Sequence, residues 1–295
     1  MMSCVGMAKI GMIASGKLTP RLAMAVAVVL TTSLARATTP EPTGLDRGFH
    51  QLYNLDFTGA EREFESWEKS NPQNPMGPVS EAAGILFSEF NRLGVLESQF
   101  YDNDSMFAAR KKYVADPKQR ARFEDLLTRG EGLARTALGR DKRDRDALLA
   151  MTLVNGLRAD YAALIDKHNL PSLRYTRESS GWAEQLLAAD PTCYDAHLAG
   201  GISKYIVGSM AAPVRWFLRL GGVSGDKQRG ISELQLTAAQ GRLLAPFARI
   251  LLAIAYVRDK DHARARTVLA SLEKDFPNNP LFARELARLE PVASR

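Results

Sequence analysis

Apolar positions recur at helical intervals over nearly the whole span 44–291, and the strict alternation of half-buried strands is missing. The clearest stretch is 246–280. Phe247, Ile250, Leu251, Ile254 and Ala255 fall on one helical face, and Leu252, Ala253, Tyr256 and Val257 fill the other. A helix over 246–258 is therefore apolar nearly all round and needs neighbours on several faces. It is too short to cross a bilayer, which takes ~20 apolar residues. Asp259-Lys260-Asp261 breaks it, with Asp261 suited to cap the next helix. That second helix carries Ala265, Val268, Leu269, Leu272 and Phe276 on one stripe and stops at Pro277-Asn278-Asn279-Pro280.

The same interval returns near the other end of the chain. Ala60, Phe64, Trp67 and Pro72 reproduce it, with twelve residues from Ala60 to Pro72 as from Ala265 to Pro277. The pattern predicts further helices over 44–54, 57–70, 79–96, 117–138, 147–168, 171–189, 194–210, 226–240 and 281–289, with Asp190-Pro191 closing one pair. Two stretches depart from it: 97–116, aromatic and polar, reads as an insertion over one edge, and 211–225 (AAPVRWFLRLGGVSG) as a second insert.

The 246–280 stretch resembles a tetratricopeptide (TPR) repeat, a helix pair of ~34 residues with small residues where its helices approach. Leu252-Ala253 stands at the Leu-Gly place, Tyr256 at the Tyr place, and Ala265, Leu269, Leu272 and Pro277 follow at the family spacing. Arg249 replaces the usual Trp, and Lys260 the usual turn glycine. Over most of 45–290 the chain also resembles a group of uncharacterised exported bacterial TPR-like proteins. That likeness rests on GLRADYAALI (156–165), the Trp182 helix with Asp190-Pro191, PVRWFLRL (213–220) and DKQRGI (226–231). The Ser224–Gly230 portion is similar to inclusion-body-clearance and tetratricopeptide-repeat-39 type proteins. The resemblance implies an all-α, TPR-like right-handed solenoid of about five helix pairs with insertions and a terminal capping helix. It implies no known enzymatic activity and supplies no functional residues.

Residues 1–37 hold no Asp or Glu, four basic residues (Lys9, Lys17, Arg21, Arg36), a short apolar run at 22–30 and Ala35-Arg36-Ala37. This is a secretory signal-peptide pattern with cleavage expected before Thr38, which makes the mature protein periplasmic or secreted. An uncleaved anchor is the competing reading. Residues 38–43 form a polar, proline-broken, disordered lead-in, and 44–291 the helical-repeat domain. Loss of the leader takes the formal charge from +6 to +2 and removes the main support for a nucleic-acid partner. One cysteine, Cys193, is left, so no intramolecular disulfide is expected.

No catalytic constellation, cofactor motif or metal set emerges. Cys193 and His197 stand four residues apart, but a structural zinc needs four ligands. GGVSGDK (221–227) lacks the order of a phosphate loop and a preceding strand. Two candidate partner-binding features remain. One is the polar cluster Asn155, Arg158, Asp160 and Tyr161. Asn155, Arg158 and Tyr161 make one row at i, i+3 steps, and Asp160 points elsewhere. The row either contacts a bound peptide or makes internal contacts. The other feature is Arg215 and Trp216 with their apolar neighbours, which serve burial, a partner patch or a membrane surface. The leading reading is an exported scaffold for a protein or peptide partner, without catalysis. A small-ligand-binding or enzymatic protein using 155–161, and a membrane-peripheral protein, stand beside it.

Overall fold

The structure, a computed structural model, describes residues 41–98, 113–210 and 225–289; the leader, the aromatic part of the first insertion and the segment holding Arg215 and Trp216 lie outside them. Among the described residues the chain forms helices and turns and no strand. The helices are α1 (Gly44–Tyr53), α2 (Phe57–Ser70), α3 (Met76–Arg92), α4 (Val95–Ser98), α5 (Pro117–Arg140) and α6 (Arg145–Asp160). After α6 come a π-helical turn (Tyr161–Ile165), α7 (Asn169–Ala189), a 3-10 turn (Tyr194–Ala196) and α8 (His197–Ser209). The chain ends in α9 (Lys227–Gln240), α10 (Ala245–Arg258), α11 (His262–Asp275) and α12 (Pro280–Leu289).

Each long helix packs on the next, and the first helices of successive pairs also touch, as in α1 against α3 and α3 against α6. This is the packing of a TPR-like helical-repeat protein: α1/α2, α3/α5, α6/α7, α8/α9 and α10/α11, with α12 covering the end. The interval found in the first and last pairs has a structural counterpart. Ala60 and Ala265 are fully buried, as are Phe64 and Leu269. Each of these pairs turns through a left-handed residue, Leu55 (φ 62°) or Lys260 (φ 58°), at the place where a repeat of this kind favours glycine. An aspartate follows each and caps the second helix: Asp56 Oδ1 accepts from Gly59 N–H at 2.9 Å, and Asp261 Oδ1 from Arg264 N–H at 3.0 Å.

Boundaries differ where a local device overrides periodicity. The helix expected over 79–96 begins at Met76 and breaks at Gly94, whose φ of 72° ends α3 and lets α4 start in a new direction. Pro75 and Pro78 fit at its start because first-turn N–H groups have no helical acceptor. The helix expected from 147 begins two residues earlier, because Asp144 Oδ1 accepts from Ala147 N–H. The lead-in ends in a cap: Thr43 and Asp46 exchange hydrogen bonds around the start of α1. Arg145–Ile165 is apolar enough by composition to cross a membrane, but 67% of its most apolar window is buried inside the fold, the pattern of a core helix.

The stack closes on itself. Tyr53 Oη donates to the Leu243 carbonyl at 3.0 Å, Asn279 Nδ2 to the Tyr53 carbonyl at 2.9 Å, and Asn278 N–H to Asn54 Oδ1 at 3.2 Å. Phe276 packs against His50 and Tyr53, Phe247 meets Phe87 edge-on at 5.4 Å, and Arg242 pairs with Asp46 at 2.6 Å. The first pair thus touches the last, and the concave side becomes a chamber in place of an open groove.

Close approach of α8 and α9 makes glycine necessary at 230, where a Cβ would lie 2.5 Å from the Tyr205 backbone nitrogen. Gly132, on an exposed turn of α5, has nothing within 4 Å. Gly230→Ala is expected to cost about 1–3 kcal/mol in urea unfolding, and Gly132→Ala to gain about 0.5–1 kcal/mol.

Candidate functional site

The chamber consists of two adjoining cavities with about 810 and 1120 Å³ of atom-free space, part of it open to solvent. Its walls come from α1, α3, α6, α7, α8 and α10, with α12 reaching the larger cavity. Leu52, Tyr53, Phe87, Ile202 and Phe247 face both cavities, so the two are one apolar space with a waist. Gly156 and Ala159 on α6 and Ala199 on α8 keep the first cavity from filling with side chains.

Most polar groups on this wall are already engaged. Thr152 Oγ1 donates to the Leu148 carbonyl, Thr176 Oγ1 to the Ser172 carbonyl and Ser179 Oγ to the Thr152 carbonyl. Asn279 bonds to the Tyr53 carbonyl and accepts from Leu281 N–H. Asp195 accepts from Leu243 and Leu244 N–H at 3.1 Å each. Burial pushes the Asp195 carboxyl up, and those N–H groups oppose the rise by favouring the anion.

Asp160 is different. It faces both cavities and has no hydrogen-bond or ion-pair partner among the described residues. It is partly buried and lines the chamber. Burial alone lifts its carboxyl to about 7 from the ordinary 3.8. Neither cavity is lined by Lys, Arg or His among the described residues. The π turn begins at the next residue, with Asp166 N–H bonding back to the Tyr161 carbonyl; such turns frequently accompany functional sites.

The rest of the polar cluster faces away from the chamber. Asn155 is buried and donates to the Met151 carbonyl within its own helix. Arg158 Nη1 pairs with Glu131 of α5 at 2.7 Å, with Glu124 at 4.0 Å beyond it. Tyr161 stacks on Phe123 of α5 at 5.1 Å, under the Arg120 guanidinium. Arg158 and Tyr161 thus fix the end of α6 and the π turn against α5, Asn155 bonds within α6, and the structure brings only Asp160 of this cluster to the cavity. Arg215 and Trp216 lie outside the described residues. Sequence spacing does not single out Phe87, Phe247 and Ile202, because an apolar residue lining a cavity has the same helical spacing as one filling a core.

A second cleft between α2, α3 and α5 is charged, but its groups pair: Arg122 reaches Glu61 at 2.5 Å and Glu81 at 3.5 Å, and Glu89 holds Arg92. Cys193 is buried, and the His197 ring stacks on Tyr194. Among the described residues no three His, Cys, Asp or Glu side chains are placed to hold a metal ion.

No family model matches the chain, and no curated protein matches it. Among solved structures the chain is similar to a thermophilic TPR protein of Thermus thermophilus, at 16% identity and a TM-score of 0.44, over 83% of this chain and 96% of that one.

The raised carboxyl fixes a sign for stability. Unfolded, Asp160 ionises near 3.8; folded, near 7. Below about pH 4 both states are protonated and nothing is lost. Between about 4 and 7 only the unfolded state ionises freely, so stability falls as pH rises and levels off above 7. At about 1.4 kcal/mol per tenfold change in proton affinity, discounted for water in the chamber, the carboxylate costs on the order of 2–4 kcal/mol at pH 8. Asp160→Asn is expected to raise the denaturation midpoint at pH 8 and to match wild type near pH 3.5. Equal midpoints at pH 8 would show a solvated carboxylate.

Proposed function

We propose that the protein is an exported helical-repeat binding protein whose closed chamber takes up one small apolar molecule. The observation that carries this reading is the closure of the first pair onto the last around cavities walled by Leu52, Phe87, Ile202 and Phe247. A solvated groove of that apolarity would be unfavourable by about 25 cal/mol per Å² exposed. Enclosure leaves a space that an apolar ligand fills better than water.

A small ligand fits this wall better than a peptide. A peptide brings an N–H and a C=O at each residue, and each one buried without a partner costs about 1–3 kcal/mol. Apart from Asp160 and the Ser172 hydroxyl, the wall's polar side chains already bond within the protein. The helical-repeat fold equally supports a scaffold with a protein partner, and the chamber leaves such a partner the outer faces of the stack. The reading assigns the protein no catalytic step.

Export rests on the acid-free basic leader and the Ala35-Arg36-Ala37 site. Protein recovered from the cell envelope is expected to begin at Thr38 by N-terminal sequencing; intact chain confined to the cytosol would overturn export. For the chamber, the neutral apolar dye N-phenyl-1-naphthylamine is expected to bind one to one with enhanced fluorescence. Ile202→Trp, which fills the waist, should weaken it by about tenfold or more, ~1.4 kcal/mol. Unchanged dye affinity in a folded Ile202→Trp variant would place the dye elsewhere.

A further inference from the structure

We propose that the molecule the chamber takes up is an amphiphilic organic cation, a single apolar body carrying one ammonium group, held with its charge against Asp160. The inference rests on the chamber reading above and adds the ligand's chemical class.

Charge is the first argument. Among the described residues the chamber's ionisable wall groups are Asp160 from α6, Asp195 from the 3-10 turn and Tyr53 from α1; α3, α7, α8, α10 and α12 contribute none. Asp195 is held by two backbone N–H groups, and the Tyr53 hydroxyl donates to the Leu243 carbonyl. Asp160 is the acid left over. An anionic ligand, such as a fatty acid carboxylate, would meet this acid in a low-dielectric space with no cation among the described wall residues to match it. A cation meets the opposite situation: its charge supplies the partner that Asp160 lacks, and the pair forms where water competes least.

The apolar wall supports the same class. Tyr53, Phe87 and Phe247 line both cavities together with Asp160. Aromatic faces attract ammonium groups without needing a hydrogen bond, and most strongly where the cation has shed its water. The wall therefore offers a cation both an opposite charge and aromatic rings, and offers a neutral ligand only apolar contact. The remaining free polar group, the Ser172 hydroxyl, is a single one, which suits a ligand with one polar end.

The neighbouring polar residues keep Asp160 available. Arg158, two residues before it, is engaged by Glu131, and Arg120 by Asp166 in a two-bond pair at 2.9 and 3.0 Å. Neither guanidinium lines the chamber. The carboxyl thus enters the chamber without a counter-ion among the described residues, and the ligand is the group that completes it.

The test is calorimetric titration of the purified protein with ligands of one chain length and different heads: decyltrimethylammonium, decan-1-ol and decanoate. The quaternary head keeps its charge at every pH, so any pH effect on its binding reports the protein. At about pH 8 the cation is expected to bind on the order of tenfold tighter than the alcohol, and decanoate weakest. The cation's advantage should shrink at about pH 5, where the Asp160 carboxyl is protonated. Asp160→Asn, which removes an unpaired charge and should fold at least as well, is expected to remove the cation's advantage over the alcohol. Alcohol binding with no cation preference, or a preference that survives Asp160→Asn, would overturn the charge match and leave the chamber reading standing. Binding of none of the three, with no uptake of the neutral dye, would overturn both.

Discussion

The short seam between Tyr53-Asn54 and Asn278-Asn279 decides what kind of helical-repeat protein this is. Two side chains and two backbone groups, more than two hundred residues apart in sequence, exchange hydrogen bonds there. Phe276 seals the seam by lying against both His50 and Tyr53. Closing so long a span costs entropy, though only slowly more than a short one, since the cost grows with the logarithm of length. The stack of pairs has already brought the ends near one another, so the seam has little left to close. Without it, the concave faces of α1, α3, α6 and α8 would line an open groove, and the Asp160 carboxylate would sit in water with an ordinary affinity for protons.

Closure and the unpaired acid therefore belong together. Most other buried charges are paired, while the Glu81 carboxyl is pushed up to about 8 by burial and by the Glu68 carboxyl beside it. Arg158 has Glu131, Lys204 has Glu233, Glu89 has Arg92, and Asp195 has two backbone N–H groups. Each pairing offsets the desolvation that burial imposes. Asp160 sits on the same helix as Arg158, two residues on, and receives nothing. A residue that breaks the local rule and lowers stability above neutral pH is the kind found where structure yields to function. The π turn that follows points the same way, since it replaces a regular turn at the wall of a cavity.

The repeat frame was legible in the sequence because it is local. A fixed interval from Ala60 to Pro72 and from Ala265 to Pro277 reports a small residue under a neighbouring helix, an apolar residue one turn on, and a stop. Those contacts are made within one pair, so one window of sequence carries them. Even the departure at Lys260 was informative, since the turn position is left-handed whether lysine, leucine or glycine occupies it. Closure was not legible, because it depends on small rotations summed over every pair. The helical spacing of 155, 158 and 161 separated Asp160 from its row correctly, but which side faced the chamber depended on α5 covering the row. Phe123, Glu124 and Glu131 do that, from a helix separated from α6 by a charged turn.

The distinction between a groove and a chamber also changes what the same fold can recognise. An open concave face selects a partner by many polar contacts along an extended chain, and it needs free donors and acceptors in rows. Here the rows are used up. Thr152, Thr176, Ser179 and Asn279 all bond to carbonyls of the protein itself, which tightens the wall and takes those donors away from any guest. What the wall retains is apolar area, six aromatic rings (Phe49, Tyr53, Phe87, Phe90, Phe247 and Phe282) and the unpaired Asp160 carboxyl. Discrimination by such a wall comes from exclusion: a second polar group on the guest would be buried unpaired, and a negative one would face Asp160 without a counter-ion.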